Sequence, residues 1–155
     1  MQSAEQGESG DLAGEGLHIG IVRARFNDAV TRRLQEACVA ELAALGVAEK
    51  DLTLVEVPGA LEIPAAIALA LRAKRYAGFV ALGCVVMGET AHFDIVSEQS
   101  ARGLMDLAVQ QNALIGNGIL TVYTRDQAEK RAKPKGEEAA HALLSLLAHR
   151  RAWGV

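Results

Sequence analysis

Hydrophobic positions along the chain come in two alternating rhythms. Short, dense runs predict strands at residues 17–24 (LHIGIVRA), 52–57 (LTLVEV), 79–86 (FVALGCVV) and 115–123. Between them apolar residues recur at helical spacing. Leu34, Cys38, Leu42 and Leu45 line one face of a helix that opens at Asn27 and Asp28, its candidate caps, and ends at Gly46; Cys38 reads as core. Residues 60–75 read as a second helix, with Pro64 tolerated in its first turn, and residues 92–111 as a third. Residues 125–132 and 137–151 predict two further helices, interrupted around Pro134 and Gly136.

The run 79–86 is almost continuously apolar, as expected of a parallel strand covered on both faces, so it is placed centrally. Strand–helix alternation through short loops implies right-handed crossovers. The fold class is therefore α/β: a three-layer α/β/α sandwich with a central four-stranded parallel sheet, flavodoxin-like. In such sheets ligands bind beyond the carboxyl ends of the strands, which singles out the loops around Phe26, Ala60, Thr90 and Thr124.

Composition narrows the picture. The 155 residues are half hydrophobic but only 4% aromatic, so the core must be built from Ala, Leu, Val and Ile. Residues 1–16, rich in Gly, Glu, Ser and Gln, are expected to be a disordered tail rather than a signal or transit peptide, leaving 17–155 as one domain. A net charge of −3 without a dense basic block argues against nucleic acid as a partner. No stretch approaches the roughly 20 apolar residues of a membrane span. Cys38 and Cys84 stand far apart, outside any CxxC or zinc-ligand spacing, which suits a cytoplasmic protein without a metal site.

Candidate chemistry gathers in the same loops. Met87-Gly88-Glu89-Thr90-Ala91-His92-Phe93-Asp94 places a glycine and polar groups just before a helix, whose free N–H groups and partial positive charge can bind phosphate. Thr90 and Asp94 also suit simple capping. His92 is the best acid/base candidate, with a packing histidine as the alternative, whereas His18, His141 and His149 read as structural or exposed. Glu62 either accepts bonds from sugar hydroxyls or complements the helix dipole. Phe26 either stacks on a planar heterocycle or staples the helix entrance, and the Asn27 amide can read a ring edge. Arg131, Lys133 and Lys135 either neutralise a phosphate or form a solvated face. No GxxxxGK[ST] loop, GxSxG elbow or HExxH is present.

VPGALEIP, ALGCVVMGETAHFD and IGNGILTV, in this order after an ARFND loop, resemble the lumazine synthases from Leu17 to the C-terminus. The resemblance implies condensation of 5-amino-6-(D-ribitylamino)uracil with 3,4-dihydroxy-2-butanone 4-phosphate, without metal or organic cofactor. It assigns Phe26, with Asn27 beside it, to stacking on the pyrimidine. It assigns Ala60, Leu61 and Glu62 to the ribityl chain, and the backbone of Cys84, Val85 and Val86 to the ring. Gly88, Glu89 and Thr90 would bind phosphate, His92 would transfer protons, and Asn117 and Arg131 would enter from a neighbouring subunit. A homo-oligomer follows, a pentamer or a pair of pentamers, with active sites at subunit interfaces.

Two departures stand out. Met87 replaces a basic residue common in the family, and residues 131–136 are shorter than the linker of shell-forming members, which counts against an icosahedral shell. A non-catalytic riboflavin- or lumazine-binding protein of the same fold is the alternative reading. A flavodoxin-like electron carrier ranks last, because Arg25-Phe26-Asn27-Asp28 is not a Ser/Thr-rich flavin phosphate loop.

Overall fold

A computed structural model describes residues 4, 5, 7, 10 and 12–155. The chain runs β1 (Ile19–Ala24), α1 (Asp28–Ala44), β2 (Leu52–Val57), α2 (Glu62–Leu71), β3 (Gly78–Val86), α3 (His92–Gln111), β4 (Ile115–Val122) and α4 (Arg125–Trp153). All strand pairings are parallel, in the order β2-β1-β3-β4. The sandwich expected from the sequence is the observed one, with β3 internal.

Alternation along each strand builds two cores. Ile19 and Ile21 of β1, Val80 and Leu82 of β3, and Leu120 and Val122 of β4 point to α1 and α4, where Leu34, Cys38, Leu42, Leu143 and Leu144 meet them. Val22, Ala24, Phe79, Ala81 and Ile119 point the other way, to Ile63 and Ile67 of α2 and Leu104 and Leu107 of α3. Burial of Cys38 among aliphatic side chains pushes its thiol up to about 12. No described helix is long and apolar enough to cross a membrane.

Of residues 1–16, Met1, Gln2, Ser3, Gln6, Glu8, Ser9 and Asp11 lie outside the described residues, so the expected tail falls partly beyond them. Leu12 packs into the α1/α4 core, and the Gly14 N–H donates to the Leu45 carbonyl at 2.8 Å.

Three local expectations are corrected. First, α2 stops at Leu71, not near residue 75: the N–H groups of Arg72, Ala73 and Lys74 turn to carbonyls three residues back, and Lys74 adopts a left-handed φ of 53°. Second, Asn27 does not cap α1 with its side chain. Third, the interruption expected around Pro134 and Gly136 is absent, and α4 is one helix of 29 residues.

Packing explains this continuity. Pro134 removes one N–H from the ladder, but small residues hold the helix against its neighbours: Ala128, Ala132, Ala139 and Ala140 are fully buried. Gly136 lies so close to α1 that a Cβ there would collide with the Leu34 carbonyl oxygen. Gly116 of β4 meets the Ala139 carbonyl in the same way, and Gly118 leaves room for the side chains of Leu82 and Ala139. Gly136 is thus a close-contact residue, not a helix stop.

Gly136→Ala is expected to destabilise the fold by about 1–3 kcal/mol through overpacking, although alanine gains about 1 kcal/mol in helix propensity. Urea denaturation measures the sign; a stabilised variant would show that α1 can retreat freely.

Candidate functional site

The strand order places a switch point between β1 and β3. From β1 the chain moves outward to β2 through α1; from β3 it moves the opposite way to β4 through α3. Loops leaving β1 and β3 therefore diverge and open a crevice at the carboxyl end of the sheet. Pairing between β1 and β3 ends at Arg23 and Leu82, whereas β3 continues beside β4 to Val86. Beyond Leu82 the β1-facing edge of β3 has no strand partner.

Asn27 crosses this gap. Its backbone is left-handed (φ 58°), a conformation that asparagine tolerates better than most residues, and its amide donates to the Cys84 carbonyl at 2.8 Å. Just before it, the Arg25 and Phe26 N–H groups donate to the carbonyls of Val57 and Pro58, extending the β1–β2 pairing into the turn. Phe26 is left 71% exposed, its ring beside Gly59, where the missing side chain makes room for it. Ala60 is buried; Leu61 and Glu62 stand exposed at the start of α2, with the Glu62 carboxylate also near Gly59. The first two loops thus form one wall.

The loop after β3 forms the other. The Met87 N–H is held by the Val122 carbonyl at 2.9 Å, and Gly88, Glu89 and Thr90 follow in the open. Thr90 accepts a 3.3 Å bond from the His92 N–H, so its hydroxyl shapes the approach to α3. His92 is the first residue of that 20-residue helix and is exposed; Phe93 rests against Tyr123, their ring centroids 6.2 Å apart. The helix N-terminus lends this end of the sheet a partial positive charge. Among the described residues no group of three His, Cys, Asp or Glu side chains converges as metal ligands.

Cys84 contributes its backbone rather than its sulfur. The side chain is buried in the α1/α4 core, and burial pushes the thiol up to about 11, which leaves almost no thiolate at neutral pH.

Asn117 and Arg131 do not join these walls. Asn117 is exposed on β4, its side-chain oxygen accepting from the Ile119 N–H at 2.9 Å. Arg131 donates to the Gln127 carbonyl at 3.3 Å and lines a groove of about 630 Å³ along β4, with Thr121, Tyr123 and Lys135. The other histidines have structural neighbours: His18 lies 3.5 Å from Asp51, His141 2.7 Å from Glu41, and His149 stacks on Trp153.

One residue near the site is not among those the sequence singles out. Arg23, at the end of β1, is buried and bonded to Asp28, Thr31 and Glu56. The guanidinium holds the Asp28 carboxyl below its ordinary value, with Arg32 adding to the effect. A lone arginine in the apolar run LHIGIVRA was the available signal.

Residues 16–151 match the family model described as 6,7-dimethyl-8-ribityllumazine synthase. The enzyme of that name from Cupriavidus necator is 49% identical over 136 residues, covering 88% of this chain and 82% of its own. That from Ralstonia nicotianae is 47% identical over 136 residues, with 88% and 83% covered. That from a Polaromonas species is 44% identical over 146 residues, with 94% and 95% covered.

The state of Cys84 yields a prediction. Iodoacetamide at pH 8 should leave it unmodified in the folded protein and alkylate it once denatured; rapid labelling of the native state would contradict a buried thiol. Folding raises this pKa from 9.0 to about 11, so the unfolded chain loses the proton first as pH rises. The contribution to stability is complete below pH 9 and lost towards about 11, and Cys84→Ala should flatten that part of the melting-temperature profile.

Proposed function

This chain belongs to the 6,7-dimethyl-8-ribityllumazine synthase family, and from that premise we propose how its residues divide the reaction. It catalyses the condensation of 5-amino-6-(D-ribitylamino)uracil with 3,4-dihydroxy-2-butanone 4-phosphate, a step of riboflavin biosynthesis that releases phosphate and water. Phe26 stacks on the pyrimidine, with Asn27 fixing the depth of the crevice. Ala60, Leu61 and Glu62 receive the ribityl chain, and backbone groups of Cys84, Val85 and Val86 read the ring edge. The Gly88–Thr90 backbone at the head of α3 binds phosphate, and His92 moves protons.

The observation that carries this reading is the Asn27–Cys84 bond, which ties the β1 loop to the open edge of β3 beside the helix that begins with His92. Schiff-base formation, phosphate elimination and ring closure each require proton transfer between reactants held together. Positioning and one acid/base therefore supply most of what the chemistry asks. The positive end of α3 and Arg131 balance the charge of the departing phosphate.

Arg131 and Asn117 act from a neighbouring subunit, a division supported by their separation from the two walls of the crevice. Exposed apolar side chains of α3, Ile95 (53%), Met105 (60%) and Val109 (72%), supply a face for subunit packing. The assembly is a pentamer, or two pentamers paired; unbroken helix through residues 131–136 supports this over a shell. Two unpaired, buried cysteines suit a reducing compartment such as the cytoplasm.

Steady-state kinetics should show His92→Ala lowering kcat by about 10²–10⁴-fold without loss of fold. Arg131→Ala should chiefly raise KM for the phosphorylated substrate. Unchanged kcat in the first would remove His92 from proton transfer, and unaltered constants in the second would detach Arg131 from phosphate. Sedimentation velocity should give a pentamer or decamer, whereas a hollow shell in electron micrographs would overturn the assembly.

A further inference from the structure

The side chain of Arg23 is 1% exposed, on the face of β1 that elsewhere presents Ile19 and Ile21 to the core. One terminal nitrogen, Nη1, donates to Asp28 Oδ1 at 2.7 Å and to Thr31 Oγ1 at 2.9 Å, both in the first turn of α1. The other, Nη2, donates to Glu56 Oε1 at 2.8 Å. Glu56 is the register partner of Arg23 on β2. Nε has no partner.

An aliphatic side chain would fill this position without the desolvation cost of a buried cation, and a cation under a helix N-terminus is repelled by the dipole unless carboxylates balance it. Packing therefore does not account for the arginine. Its effect is geometric: one planar fork joins β1, β2 and the start of α1. Those are the segments from which the turn Arg25–Asn27 hangs, carrying Phe26 beside Gly59 and the Asn27 amide on the Cys84 carbonyl.

We propose that Arg23 is a positioning residue for the pyrimidine substrate: by bonding Asp28, Thr31 and Glu56 together it holds Phe26 and Asn27 at the depth the ring requires. This rests on the placement of the pyrimidine against Phe26. Lysine keeps the charge but not the fork, and so cannot hold all three partners in one plane.

The test compares Arg23→Lys, Glu56→Gln and Phe26→Ala in the assembled enzyme, with each substrate varied separately and melting temperatures recorded. Arg23→Lys should raise KM for the ribitylaminouracil about tenfold, less than the roughly 10²-fold that a full 1 Å misplacement can cost, with KM for the butanone phosphate nearly unchanged. Glu56→Gln, a change at a half-exposed partner that leaves the core intact, should move the same constant in the same direction by less. Wild-type uracil KM in both variants overturns the proposal, as does a parallel rise of both KM values with a lower melting temperature, which would mean a merely structural role. If Phe26→Ala is silent, the pyrimidine placement fails and the proposal falls with it. If Phe26→Ala is impaired and Arg23→Lys is not, the proposal fails and the placement stands.

Discussion

Direct contact between backbones sets the distance between α4 and the layers beneath it. Gly116 on β4 lies against the Ala139 carbonyl, and Gly136 lies against the Leu34 carbonyl, so backbone meets backbone at both places. A core poor in aromatic residues can close around four parallel strands only if its longest helix comes this near. The approach also sets the outer boundary of the molecule along β4, where the groove containing Arg131 runs. The groove in which Arg131 lies is therefore positioned by glycine contacts.

At the carboxyl end of the sheet the organising device is polar. Parallel pairing between β1 and β3 stops at Leu82, and the exposed strand edge is met by an asparagine side chain instead of a third strand residue. The turn that carries that asparagine is braced by a buried guanidinium shared among three segments. A reaction made of several proton transfers between two bound molecules depends on such bracing more than on any strongly perturbed acid, because effective concentration and orientation lower its barrier.

How far these features could be read in the chain varied with their physical origin. β3 was legible because nine consecutive positions are buried or half-buried, a burden only apolar residues carry, and α3 because its periodicity begins directly after a polar loop. Pro134 and Gly136 are local breakers, so the sequence predicts two helices where α4 is one. What overrides them is tertiary: the glycine faces α1, across a contact that no local pattern encodes. Asn27 suits a cap on local grounds for the same reason, since its true partner lies 57 residues away. The role of Arg23 is not legible, because an arginine in a strand gives no periodic signal and its three partners are scattered over β2 and α1. The candidate loops were legible as a group, because strand–helix alternation dictates that they gather; the division of Asn117 and Arg131 from them was implied only by the family resemblance.

Position 84 illustrates how one residue can serve two separate parts of the structure. Its sulfur occupies aliphatic core and makes no polar bond, while its carbonyl anchors the loop that shapes the crevice. Because the functional atom belongs to the main chain, any small side chain of similar volume that preserves the strand would leave the anchor in place. Side chain and main chain can therefore be altered independently here, and replacing the sulfur would probe the core without releasing the loop.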